Sequence, residues 1–179
     1  MKEIDKITIR IERLFNDLHM PELYACADKC FSYGADNDDV PTVFYSIIEE
    51  NEELKDICDR LFSDFYVQQT HENLPVSQYT FSILHEVGHH KTMKMFSKGD
   101  IQKYRYDCIS LMEKRLTGRI TIEEEQKRYM YLPVEYEATK EACRLVQENL
   151  QLLKDFEEDM KILAINFQKA LDNGADCIV

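Results

Sequence analysis

Apolar residues near the start of the chain fall at Ile4, Ile7, Ile11, Leu14, Phe15 and Leu18, steps of three and four that predict an amphipathic helix. Met20-Pro21 breaks that pattern, and PELYACADKCFSY predicts a second helix with Pro21 in its first turn. GADNDDVP is a turn cluster. From Pro41 the run VFYSIIEENEELKDICDRLF predicts a third helix, with Phe44, Ile47, Ile48, Leu54, Ile57, Leu61 and Phe62 on a broad apolar stripe. Asp64 to Thr70 is short and rich in aromatic and β-branched residues, which predicts a strand. HENLPVS reads as a loop, and Ser77 or Thr80 caps a helix over about 77–96 that ends at Ser97-Lys-Gly-Asp100. Another helix runs from about Ile101 to Leu116, before the Thr117-Gly118 break. From about Pro133 to Leu171 the chain is strongly helical, with Leu152, Phe156, Met160, Leu163, Phe167 and Ala170 on one face and Gly174 as its stop. These elements predict a mainly α fold with a small β-sheet, in the α+β class. No repeat, linker or composition shift divides residues 1–179, so one domain is expected.

Charge narrows the partners. The 34 acidic and 22 basic side chains give a net charge of −12, which repels phosphate backbones and argues against direct nucleic-acid binding. No apolar run approaches the roughly 20 residues that span a bilayer, and MKEIDKITIRIERLF lacks the apolar core of a signal peptide. The chain is therefore expected to stay in the cytosol, off the membrane. Cys26, Cys30, Cys58, Cys108, Cys143 and Cys177 are scattered through predicted helices, and there they read as small core residues rather than disulfides. Cys26 and Cys30 share a helix face, yet no second Cys/His pair nearby completes a tetrahedral metal site.

The chemistry lies in FSILHEVGHHKT, Phe81 to Thr92, which contains His85-Glu86-x-x-His89. On a helix, residues four apart stand on one face, so both imidazoles can reach a single ion at roughly 2.0–2.1 Å. Glu86 borders the same face and can take a proton from water that zinc has acidified, while zinc polarises a peptide carbonyl. Gly88 costs roughly 1 kcal/mol within a helix, so another backbone or a substrate is expected close beside it. A catalytic site needs a third protein ligand. Thr92 and Met95 stand where an extended His-Glu-x-x-His-x-x-Gly-x-x-His pattern needs glycine and histidine, so that ligand comes from elsewhere.

Downstream, LPVEYEATKEACRLV opens a helix at about 133 with Glu135-x-Glu137-Ala138-x-x-x-Ala142. Together with His-Glu-x-Gly-His and its Tyr79-Thr80-Phe81 lead-in, this resembles the ImmA/IrrE-type metallopeptidases, and more broadly the gluzincins. The likeness covers about half the chain, roughly Asp64 to Leu150. It implies a minimal zincin-like fold with added terminal helices, zinc held by His85, His89 and Glu135, and Glu86 as general base. It also implies cleavage of a cytosolic protein substrate, such as a transcriptional repressor. Thr139 stands where the family often has Asn or Asp, and the spacer from His89 to Glu135 is longer, with an added helix at Ile101 to Leu116. Helix phase also separates Glu135 from Glu137, because residues two apart point about 200° apart. Glu137 leads a charged stripe of Glu141, Arg144 and Glu148 that belongs to solvent, whereas Glu135 leads an inward stripe of Ala138, Ala142 and Leu145.

His90, rotated about 100° from His89, reads as a supporting or exposed group, and His71 as a loop histidine able to donate to a tetrahedral intermediate or to face water. Tyr129, Tyr131 and Tyr136 are candidate oxyanion donors or packing residues. The leading expectation is a zinc-dependent endopeptidase, with an extended substrate pairing along a strand near Phe65 to Gln69. The alternatives are a non-catalytic acidic helical interaction protein whose zinc site is structural or vestigial, and a peptidase-fold regulator that binds its target without cutting it.

Overall fold

Helix α1 (Glu3–Asp17) opens the chain in this computed structural model, which describes residues 2–35, 39–47 and 52–173. Its stripe of Ile4, Ile7, Ile11, Leu14 and Phe15 is buried, as is Leu18 beyond it. His19 adopts φ 62°, turning the chain so that the Met20 amide donates back to the Phe15 carbonyl at 2.8 Å.

The next segment is sheet, not helix. Strands β1 (Tyr24–Asp28), β2 (Ser32–Ala35) and β3 (Pro41–Ser46) form a three-stranded sheet in the order β1-β3-β2. β1 runs parallel to β3, with Cys26 opposite Phe44, and β2 runs antiparallel to it, with Tyr33 opposite Val43. β3 is central because Thr42, Val43, Phe44 and Tyr45 are the densest β-branched and aromatic run in this region. Val43 and Tyr45 share one face of the pleat and are fully buried, and the Tyr45 hydroxyl bonds Thr8 of α1 at 2.6 Å. The helix expected across Tyr24 to Tyr33 is thus corrected, as is the first part of the helix from Pro41; its later part, from Glu52, is helical. Ile48 of that stripe lies outside the described residues. Cys26 and Cys30 are exposed on and just after β1, not core residues; Cys143 is buried and Cys177 lies outside the described residues.

Helix α2 (Glu52–Thr70) absorbs the predicted strand at Asp64 to Thr70. Leu61, Phe62, Phe65 and Tyr66 recur at helical spacing, and packing settles the matter: Phe62 lies 5.1 Å from Phe81 and Phe65 lies 5.3 Å from Tyr136, ring centroid to ring centroid. An aromatic stripe with neighbours to fill overrides the weak strand preference of its residues. His71, at φ 62°, ends the helix.

Helix α3 (Gln78–Thr92) carries the histidine motif, with Ser77 as its cap. A 3-10 turn at Met93–Met95 leads to α4 (Lys98–Leu116), which starts earlier than Ile101 because Ser97 and Asp100 form a capping box. α5 (Ile122–Met130) is followed by α6 (Pro133–Glu148) and α7 (Leu150–Asp172). The helical region from Pro133 is therefore two helices, broken at Asn149, and the predicted stop Gly174 lies outside the described residues. α7 packs on α1 and α6, where Leu153, Phe156 and Phe167 are buried. Glu157 of α7 also reaches the start of α3, accepting the Ser77 amide at 2.5 Å and the Thr80 hydroxyl at 2.8 Å. The result is an α+β fold in which α3 lies between the sheet and α6, with α2 at its flank. Among the described residues, no helix is long and apolar enough to cross a membrane.

Candidate metal centre

The unbroken buried run from Ile83 to His89 reflects the central place of α3. Its tightest contact is with α6. A Cβ on Gly88 would lie 2.2 Å from the Ala138 carbonyl oxygen, so only glycine lets the two backbones meet there. Ala138 and Ala142, both fully buried, keep the facing side of α6 equally small.

That approach lets Glu135, at the first turn of α6, reach across to α3. Glu135 Oε2 lies 3.0 Å from His85 Nε2 and 3.3 Å from His89 Nε2. One donor atom from each of His85, His89 and Glu135 lies within 4.8 Å of the others, and all three residues are buried. Ligands at zinc's tetrahedral bond lengths are themselves roughly 3.3 Å apart, so the two measured separations match the edges of such a polyhedron. Two imidazoles and a carboxylate are also a donor set that divalent metals accept. The cluster can hold a metal ion.

The surrounding residues orient these donors. Thr139 Oγ1 lies 2.7 Å from the Glu135 carbonyl oxygen and 3.1 Å from His85 Nδ1. The Phe62 ring sits 5.3 Å from the His85 ring. The Tyr104 hydroxyl of α4 donates to Glu135 Oε1, and the Tyr129 hydroxyl of α5 lies 3.0 Å from that of Tyr104. His89 Nδ1 is buried with no hydrogen-bond partner among the described residues.

The charges follow from this packing. Burial favours a neutral Glu135, yet the bonds from His85 and His89 hold its carboxyl well below the usual range. Burial pulls His85 down, but Glu135 and the charge on Glu86 outweigh it and raise its pKa. Burial pushes the Glu86 carboxyl up, against the pull of both imidazoles and of the nearby Tyr33 backbone. Glu86 is thus a buried acid that borders the cluster and touches edge strand β2.

The remaining candidates lie elsewhere. His90 Nε2 bonds Glu22 at 2.9 Å, and its Nδ1 lies 3.1 Å from the Tyr33 hydroxyl, so it ties α3 to β2. His71 is exposed at the end of α2. Tyr131 donates to Gln68 at 3.0 Å and is half exposed, while Tyr136 packs its ring on Phe65. The tyrosine that reaches Glu135 is instead Tyr104, with Tyr129 behind it. Only Tyr129 stood out in the sequence; Tyr104 lies on a helix whose placement no local pattern discloses. Glu137 is half-buried and pairs with Lys140 at 3.8 Å. Its stripe is not wholly solvent, because Glu141 meets Lys91 of α3 at 3.0 Å and Arg144 at 2.6 Å. The supposed substrate edge near Phe65 to Gln69 is helical, and the edge strand beside the cluster is β2. No protein-family model, curated protein or solved structure matches this chain.

Proposed function

We propose that this chain is a zinc-dependent endopeptidase of the ImmA/IrrE type, acting on a cytosolic protein such as a transcriptional repressor. The observation that carries the reading is the buried His85, His89 and Glu135 cluster with the unligated carboxylate of Glu86 on the same helix. Two imidazoles and one carboxylate suit zinc and leave a position open. When bound, zinc supplies Lewis-acid polarisation of the scissile carbonyl and lowers the pKa of water beside it.

The chain's own groups supply the rest. Glu86 takes the proton from the attacking water at its carboxylate and passes it to the leaving amine. β2 is paired only with β3 among the described residues, and an extended peptide laid along its other side would pass the cluster.

The test is metal analysis and hydrolysis together. Roughly stoichiometric zinc is expected in the wild type and none in His85→Ala, while Glu86→Gln keeps zinc and loses cleavage of repressor-type substrates. Equal metal in wild type and His85→Ala would overturn the site, and full cleavage by Glu86→Gln would overturn the base. A second, non-catalytic reading draws on the exposed stripe of Tyr106, Ile109, Met112 and Leu116 along α4, a surface suited to a protein partner. Zinc content is the same in both readings; dependence of cleavage on Glu86 separates them.

A further inference from the structure

The two oxygens of Glu135 have different company. Oε2 faces both imidazoles, at 3.0 and 3.3 Å, whereas Oε1 takes the Tyr104 hydroxyl. A carboxylate only accepts, so the single Tyr104 proton goes to Glu135, and the Tyr104 oxygen is left to accept from Tyr129 at 3.0 Å. The bonds form one directed chain, from Tyr129 to Tyr104 to Glu135. Tyr104 reaches in from α4, whose main neighbour is α5, and among the described residues its bond to Glu135 is the only hydrogen bond between α4 and α6.

We infer that Tyr104, backed by Tyr129, is a positioning residue that holds Glu135 Oε1 off the metal, so that Glu135 ligates through Oε2 alone. The inference rests on the proposed metal centre and says how that centre keeps its open position. A carboxylate beside a metal can bind through one oxygen or through both, and the second mode uses a position that water or substrate needs. A charge-assisted donor on Oε1 orients the carboxylate and competes with a metal for that oxygen. The added helix α4 is what brings this donor to the site.

Cobalt(II) in place of zinc reads the coordination directly, since four-coordinate cobalt lacks an inversion centre and absorbs strongly in the visible, and the bands weaken as coordination rises. Wild type loaded with cobalt is expected to give the intense spectrum. Tyr104→Phe, which removes only the hydroxyl, should weaken it markedly and lower cobalt affinity by about 10-fold, the scale of losing an outer partner of a ligand. Tyr129→Phe should move both readouts the same way by less. If wild type binds cobalt and Tyr104→Phe keeps its spectrum and affinity, the clamp is wrong while the metal centre stands. If wild type takes up no cobalt, both fall. Should Tyr104→Phe fail to fold, a zinc-loaded crystal structure of the wild type decides: ligation by Oε2 alone supports the clamp, and ligation by both Glu135 oxygens overturns it.

Discussion

A threonine hydroxyl has one proton to give, and Thr139 stands between two groups that could claim it. The Glu135 carbonyl can only accept, so it takes the proton at 2.7 Å, and Thr139 Oγ1 must then accept from His85 Nδ1 at 3.1 Å. His85 thereby keeps a proton on Nδ1, which leaves Nε2, now bonded to Glu135 Oε2, as the nitrogen that would turn to a metal. His89 Nδ1 has no such partner among the described residues, and that ring is held by packing and by Glu135 Oε2, 3.3 Å from its Nε2. Replacing Thr139 with valine keeps the shape and removes the acceptor, which is expected to weaken metal binding by roughly 10- to 100-fold. Thr139→Ser should recover most of that loss. Competition against a chelator measures both, and equal affinity in wild type and Thr139→Val would show that the hydroxyl does not orient His85. In the sequence, Thr139 stands out as a departure from a family's usual Asn or Asp and as a candidate supporting group; what gives it that role is a bond to a residue 54 positions away.

Between elements, the narrowest place is the crossing of α3 and α6 at Gly88. Gly88→Ala gains roughly 1 kcal/mol of helix propensity. It also drives a methyl into the Ala138 carbonyl, which lies 2.2 Å from the added carbon, and backbone cannot step aside as a side chain can. A net loss of about 1–3 kcal/mol is expected in urea unfolding, since overpacking of this kind outweighs propensity; a stabilised variant would contradict the close crossing. About one turn beyond that crossing, Lys91 of α3 pairs with Glu141 of α6, which Arg144 also holds. Burial tends to raise the Glu141 carboxyl, but bonds from Arg144 and Lys91 lower it below its ordinary 4.5. A depressed carboxylate stabilises the fold above that ordinary value and ceases to as pH falls through its folded value. The melting-temperature advantage of wild type over Glu141→Gln should therefore be present above the carboxyl's ordinary 4.5 and shrink as the pH is taken well below that, and a gap independent of pH would contradict it. Elements of this kind were unevenly legible. The stripes of α1 and of the motif helix were plain because a long period repeats within one element. β1, β2 and β3 were not, because four to six residues contain too few repeats to tell a strand from a helix, and what makes them strands is their pairing with one another. Phe65 and Tyr66 misled in the other direction, since their strand preference gives way to the rings of Phe81 and Tyr136.

For the molecule as a whole, the three donors come from two helices that meet only in the folded state. A metal held there binds the native chain and not the unfolded one, and its removal is a loss of stability. With free zinc at 100 times its Kd the contribution is about 2.7 kcal/mol. For a chain of this size that corresponds to a melting temperature lower by roughly 5–10 °C after chelation. His89→Ala should show no such drop, and a wild type that melts alike with and without chelator would remove the metal from the fold's stability. The tie from Glu157 to Ser77 and Thr80 has a different kind of consequence, set by the order in which the chain is made. His85, Glu86 and His89 leave the ribosome first, Glu135 follows, and Glu157 comes last. A nascent chain that ends before Glu157 already holds every donor of the cluster, but the start of α3, which carries two of them, then rests on its Ser77 cap without Glu157.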